Sequence, residues 1–372
     1  MKHTLLARVL SLRRNYSTSG KSVLNILFFG SDEFSVHSLE ALTRMRNEEP
    51  NVINTLQVVT KPPKQCGRYL AETKEVPIAS FCPRLGLPPA LRCDTVEDMK
   101  GPIMDAVKRQ EINMLIAVSF GKLIPKQLID EVPYTLNIHP SLLPRYKGSS
   151  PIQYTLMNHD QETGVSIQTL HPSRFDHGNI IAQSAPRNVK ELLKLGAVSN
   201  FESNVPPKVA ILMDQLGIIG ANLLTTVLHK ELYARQPSFI PTLPESYAPK
   251  IKTEMKKINW AEEDSSQVLD KIDALGTVYA YKEAKPKRGD ATQKRVIFYN
   301  MLPYYGNHSP EATGSFLYDE DQKCLVIRFR NGINLQTREI QFEGFKKESC
   351  EQFMKSLKKR CGPEYCSKLV FT

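Results

Sequence analysis

Apolar residues gather in short runs through the first two-thirds of the chain, and between the runs the hydrophobic positions recur at helical spacing. Residues 24–29, LNILFF, form the first run; Gly30 and a polar turn close it, and Val36, Leu39 and Leu42 follow on one helical face. That order predicts a strand, a tight turn and a helix. A second run at 56–60 opens into a loop rich in Lys, Pro and Gly. A third, at 112–119, follows a helical stretch over 103–110. Further strand signals lie at 134–140, 165–170 and 179–183. Short apolar strands alternating with helices predict an α/β domain: a Rossmann-like, doubly wound, mostly parallel sheet with helices on both faces. Ligand sites of such sheets lie outside the carboxyl ends of the strands.

Residues 207–232 predict a long helix with Leu212, Leu216, Ile219, Leu223 and Leu224 along one side. Residues 233–257 carry several prolines and little periodicity, and read as a linker. The texture changes from Ile258 onward. A short helix is expected at 266–275, then β-rich segments at 294–299, 313–318, 324–329 and 333–341, with turns at Gly314 and Asn331-Gly332. Short strands separated by turn residues predict a small barrel or sandwich, an OB-like barrel being the expected form. The expected division is a catalytic domain over 21–232, a linker over 233–257 and a β-rich domain over 258–372. Apolar stretches at 112–118 and 211–228 are interrupted by polar and Gly residues, so no membrane span is expected.

Charge adds two features. The chain carries a formal net charge of +10, which suits a polyanionic partner without naming one. Part of that charge sits at the start of the chain, where Lys2, Arg8, Arg13 and Arg14 alternate with leucines and no acidic residue occurs before Asp32. This composition predicts a mitochondrial transit peptide over about 1–20 and a mature protein in the mitochondrial matrix. The seven cysteines are scattered, with no C-x-x-C pair, so reduced packing thiols and no metal site are expected. Gly30 follows a strand but belongs to no G-x-G-x-x-G, which argues against a dinucleotide.

The segment LNIHPSLLPRYKGSSPIQ, 136–153, carries the chemistry. Asn137 and His139 are two apart, so on a strand they share one side; Pro140 and Pro144 make the following chain an irregular loop. A carboxamide can donate to an oxyanion, and an imidazole can move protons near neutral pH. Together they suit a tetrahedral intermediate formed at a carbonyl carbon.

These residues resemble the signature of the folate-dependent formyltransferases, and RYKGSSPIQ resembles the branch that acts on charged tRNA. Downstream, ETGVSIQTLHPSRFDHGNIIAQ (162–183) is similar to the family's T-G-V-T-I segment and its Asp-x-Gly, here Asp176 and Gly178. Upstream, ILFFGSDEFSVHSLEAL, VVTKPPKQCGRYL and AVSFGKLIP resemble the family's first strand, its basic loop and its folate-contacting loop; SYAPKIKTEMKKINW resembles the entry to the C-terminal domain. The resemblance spans 24–275. It implies transfer of a formyl group from 10-formyltetrahydrofolate to the α-amino group of methionine esterified to initiator tRNA, with the enzyme acting as a monomer away from membranes and without a metal.

The resemblance also implies roles. Asn137 would hold the oxyanion, His139 would stabilise it or relay a proton, and Asp176 would fix the imidazole tautomer and take the amine's proton. Phe120, Gly121, Lys122 and Leu123, with Ser141, Leu142, Leu143 and Pro144, would contact the folate. Gly30, Arg68, Arg145 and Lys147 would meet the acceptor end of the tRNA. The basic runs around Lys282, Lys285 and Arg288, and over 346–368, suit the outside of an RNA helix. HPSRF, between Leu170 and Asp176, departs from the family: it is one residue longer, and His171 stands where many relatives carry an acid. The rival readings are another folate-dependent formyltransferase or hydrolase with a small substrate, and a tRNA-binding protein whose catalytic site has decayed.

Overall fold

The computed structural model describes residues 23–66, 71–199, 205–236, 239–285 and 290–372. The expected transit peptide, Arg68 and Arg288 lie outside the described residues.

The first half is built on a seven-stranded sheet of β1 (Leu24–Gly30), β2 (Ile53–Thr60), β3 (Leu91–Arg92), β4 (Met114–Val118), β5 (Tyr134–His139), β6 (Ser166–Gln168) and β7 (Ile180–Gln183). The order is β7-β6-β5-β4-β1-β2-β3. Strands β3, β2, β1, β4 and β5 run parallel, while at one edge β6 runs antiparallel to β5 and β7 antiparallel to β6. The near-continuous apolar runs follow from this position, because a strand covered on both faces buries both sets of its alternating side chains. Ile26 and Phe28 pack into a core with α1 (Glu33–Glu48), while Leu27 and Phe29 pack into a second core on the opposite face with Ile103 and Val107.

Helix α2 (Pro151–Met157) follows the loop after β5, and α3 (Pro207–His229) lies against α1. By length and composition α3 could cross a membrane. In the fold its apolar side, with Leu212, Leu216, Leu224 and Val227, is packed into the first core.

The stretch read as a linker is fixed over 246–249 rather than free. Ser246 carbonyl accepts from Lys147 N–H at 2.9 Å, Ala248 N–H donates to Lys147 carbonyl at 2.7 Å, and Ser150 N–H donates to Ala248 carbonyl at 3.0 Å. Gly148 has φ +118°, and a Cβ there would stand 2.7 Å from Ala248 carbonyl oxygen, so only glycine lets the two chains meet so closely. Helix α4 (Ser265–Leu275) joins the two halves: Val268 packs into the C-terminal core and Ala274 and Leu275 into the N-terminal one.

The C-terminal strands are β8 (Thr277–Ala284), β9 (Thr292–Tyr299), β10 (Leu302–Pro303), β11 (Phe316–Asp319), β12 (Cys324–Arg328), β13 (Asn334–Thr337), β14 (Glu339–Phe342) and β15 (Glu348–Ser349). They form two antiparallel sheets, β8-β9-β14-β15 and β10-β13-β12-β11, around one core. Helix α5 (Cys350–Cys361) closes that core with Cys350, Phe353, Leu357 and Cys361, and its last turn holds Lys358, Lys359 and Arg360 where the helix dipole favours cations. All seven cysteines are free thiols.

Candidate active site

A cleft of ≈470 Å³ opens where β1, β4 and β5 end, on the side predicted for a sheet of this kind. Its walls include Ala117, Phe120, Ile124, Ile138 and Leu170, and its floor holds Asn137, His139, Gln168 and Asp176. Asn137 and His139 reach the same side of β5 because strand side chains alternate. Asp176 arrives on the loop between β6 and β7 with a left-handed backbone, φ +56°, a conformation that Asp tolerates better than most residues.

These groups hold one another. Asn137 Nδ2 donates to Ala117 carbonyl at 3.1 Å, which leaves its second N–H free toward the cleft. His139 Nε2 lies 2.8 Å from Tyr146 carbonyl. A carbonyl only accepts, so Nε2 carries the hydrogen and Nδ1 is the position at which a proton can come and go. Nδ1 faces Asp176 Oδ1 at 3.4 Å, with both side chains buried. The imidazole tautomer is thus set by Tyr146 carbonyl, whereas the family resemblance implied Asp176. Asp176 Oδ2 accepts from Gly148 N–H at 2.8 Å, and the same signature loop therefore orients both the ring and the acid.

Gln168, which sequence reasoning did not single out, sits at the centre of this network. Its Nε2 donates to Asn137 Oδ1 at 3.1 Å and to Asp176 Oδ1 at 3.0 Å. The signal that could have found it is register: β6 pairs antiparallel with β5, and Gln168 stands directly opposite Asn137.

Asp32, just past β1, also lines the cleft. Part of the residue remains accessible, but its carboxyl is enclosed by protein, and that burial pushes it up to about 7 against hydrogen bonds from Ser35 and Ser119. Lys61 is depressed, first by burial and then by the ammonium groups of Lys64 and Lys122.

The remaining expected site residues divide. Phe120, Gly121, Lys122 and Leu123 line the cleft; Phe120 is held edge-on to Phe29, and Lys122 pairs with Asp94 at 3.2 Å. Ser141, Leu142 and Leu143 line a separate ≈210 Å³ cavity, and Pro144 lines neither, because the chain turns away from the cleft after Pro140. Arg145 faces that second cavity and is paired with Asp160 and Tyr146 hydroxyl. Lys147 is paired with Glu245 at 2.8 Å. Gly30 is buried outside the cleft, and a Cβ there would stand 2.5 Å from Ile78 and 2.8 Å from Phe28, so its glycine is a packing requirement. Lys285 is exposed, 3.9 Å from Glu364.

Lys282 is a correction. It has no exposed surface: it occupies a core-facing position of β8, and its Nζ donates to Tyr365 carbonyl at 2.9 Å. Alternation along the strand put it there, and a basic run in sequence did not reveal it. Among the described residues one His/Asp group has metal-ligand spacing, His308 with Asp319 and Asp321. Both Asp319 oxygens there are already taken, by Tyr304 hydroxyl and by the N–H groups of Asp321 and Gln322.

Comparison with known proteins gives a consistent picture. A sequence family described as formyl transferase matches residues 24–194, and its C-terminal domain family matches 250–358. The mitochondrial methionyl-tRNA formyltransferase of Saccharomyces cerevisiae is 43% identical over 372 residues, covering 94% of this chain and 92% of that protein. The human mitochondrial methionyl-tRNA formyltransferase is 32% identical over 262 residues, covering 68% of this chain and 57% of that protein. Among solved structures, HypX of Aquifex aeolicus in complex with tetrahydrofolic acid superposes with a TM-score of 0.51 at 17% identity, covering 91% of this chain and 48% of that one. At that identity the likeness is one of fold.

Proposed function

The chain belongs to the formyl transferase family, and we propose that it transfers the formyl group of 10-formyltetrahydrofolate to the α-amino group of methionyl initiator tRNA in mitochondria. The observation that carries this reading is the convergence of Asn137, His139 and Asp176 on one cleft, in a chain 43% identical over nearly its whole length to a protein named for this reaction. The cleft also fits the co-substrate. Its volume lies within the range of small-molecule sites, and its apolar walls frame a few convergent polar groups, as a heteroaromatic ring with polar edges requires.

The chemistry follows from the geometry. The neutral amine attacks the formyl carbon, and negative charge develops on the formyl oxygen. The free N–H of Asn137 receives that charge, and the His139 imidazole stands close by, with its Nδ1 turned to Asp176. The attacking nitrogen loses one proton to the Asp176–His139 pair, the bond from carbon to the folate nitrogen breaks, and that nitrogen gains one proton in return. One C–N bond forms and one breaks. The nucleophile belongs to the substrate, so no protein nucleophile is required. We infer too that it acts as a monomer and away from membranes; the apolar side of α3 is occupied by the core.

The deciding assay supplies the full chain with 10-formyltetrahydrofolate and methionyl initiator tRNA and follows formylmethionine. Formation of formylmethionyl-tRNA is the expected result. Formylation of small amines with charged tRNA untouched, or release of free formate, would overturn the acceptor assignment. Binding of tRNA without turnover would overturn the catalytic one.

A further inference from the structure

The geometry points to Gln168 as a positioning residue for formyl transfer: it decides which way the Asn137 carboxamide faces and ties that amide to Asp176. This inference rests on the reaction proposed above.

Gln168 is 1% exposed and pairs across the strands with Asn137. A glutamine amide has two donor hydrogens and one acceptor oxygen. Here one Nε2 nitrogen serves both Asn137 Oδ1 and Asp176 Oδ1, at 3.1 and 3.0 Å, and Oε1 accepts from Gly178 N–H at 3.1 Å. Gln168 therefore cannot rotate its amide without setting Oε1 against two oxygens and leaving Gly178 N–H unpaired. Asn137 cannot rotate either. In the reversed orientation its oxygen would face Ala117 carbonyl and its NH2 would face the NH2 of Gln168, one repulsion at each end.

The consequence is chemical. With the amide locked, Asn137 presents a hydrogen-bond donor where the formyl oxygen becomes negative; reversed, it would present an oxygen and repel the charge it is there to hold. The same Nε2 nitrogen also anchors the Asp176 oxygen that faces His139, so the donor and the proton acceptor are held at a fixed separation. A glutamine that merely satisfied a buried polar position would influence stability and leave turnover alone.

The test uses Gln168→Met, similar in volume and without donors, and Gln168→Glu, similar in shape. The full chain is assayed for kcat, both KM values, thermal midpoint and pH dependence with 10-formyltetrahydrofolate and methionyl-tRNA. For Gln168→Met the expected result is a kcat lower by roughly 10- to 100-fold with both KM values within about threefold. Combined with Asn137→Ala, the loss should be smaller than the product of the single losses. For Gln168→Glu, a carboxylate facing two oxygens has no donor, whereas its protonated form has one. Its activity relative to wild type should therefore rise as pH falls. A Gln168→Met protein with kcat within threefold of wild type, or full multiplicativity with Asn137→Ala, would overturn the proposal. Should Gln168→Met lose its fold, a pH-independent activity ratio for Gln168→Glu would overturn it instead. A wild-type chain that forms no formylmethionine defeats the proposed reaction itself, a result distinct from any of these.

Discussion

The cleft stands on strands such as β1 and β4 that are buried on both faces, whereas C-terminal strands such as β9 bury alternate positions, and the two regions use polar side chains in opposite ways. In the cleft, Asn137, His139, Gln168 and Asp176 are held by one another and by four backbone groups, one on β4 and three on neighbouring loops, and the one N–H left over on Asn137 faces the cleft. In the C-terminal domain the cations are sorted by address. Lys282 faces the core and is bound to Tyr365 carbonyl, Arg360 is paired with Glu348, and Lys358 and Lys359 stand exposed with no ion-pair partner among the described residues. The cleft teaches that a buried polar group must be explained by its partners. The β-rich half teaches that a positive charge in sequence carries no information about accessibility until the strand register is known.

Four measurements would break or sharpen this contrast. The largest effect is expected for Asp176→Asn, which keeps a residue tolerant of the left-handed backbone but removes the proton acceptor facing His139. Turnover should fall by about a thousandfold, within the range of general acid–base catalysis, with little change in thermal midpoint. Single-turnover kinetics would check it, and a variant within tenfold of wild type would separate the acid from the chemistry.

Asn137→Ala should lower kcat about a hundredfold or more, the usual consequence of losing one oxyanion donor. A near-normal rate in a folded variant would remove Asn137 from the reaction.

The third measurement pairs two variants of the basic half. Lys282→Met leaves Tyr365 carbonyl without its donor and should cost about 1–3 kcal/mol in denaturant unfolding, with tRNA KM unchanged. Lys358→Gln with Lys359→Gln should leave stability alone and raise tRNA KM several-fold. The salt slope of binding should fall by about one unit for each phosphate that is no longer neutralised. The reverse pattern would erase the distinction between buried and exposed cations.

The last measurement concerns Asp32, whose effect is on stability and not on turnover. Its carboxyl is held near 7 in the folded protein against 3.8 ordinarily, so the folded state binds the proton more tightly than the unfolded one. Its contribution to stability therefore falls as pH rises from about 4 to about 7 and stays level above that. Asp32→Asn should raise the thermal midpoint relative to wild type by an amount that grows across that pH range, whereas a constant difference would show that the carboxyl is not desolvated.

Much of the catalytic half was legible from one dimension. The apolar runs of β1, β4 and β5 reflect burial on both faces, and Asn137 and His139 share a side because strand geometry leaves no other choice. Gln168 was not legible, because its importance depends on a pairing between β5 and β6 that joins residues 31 apart in the chain. Strand β8 was missed as well: Lys282 occupies one of its inward positions and interrupts the apolar alternation that marks a strand. The stretch at 246–249 carries no periodicity since its order comes from hydrogen bonds to the signature loop and not from an apolar face.

The sequence by itself determined the doubly wound layers, the loops that leave the strand ends, and Asn137 and His139 on one side of a strand, because periodicity and residue type are local properties; Asp176 came from the family resemblance. Only the tertiary structure decided which nitrogen of His139 carries its hydrogen, which way Asn137 faces, and which lysine meets solvent. Each of those depends on an atom brought within about 3 Å by a distant part of the chain, and hydrogen bonds act only at that range.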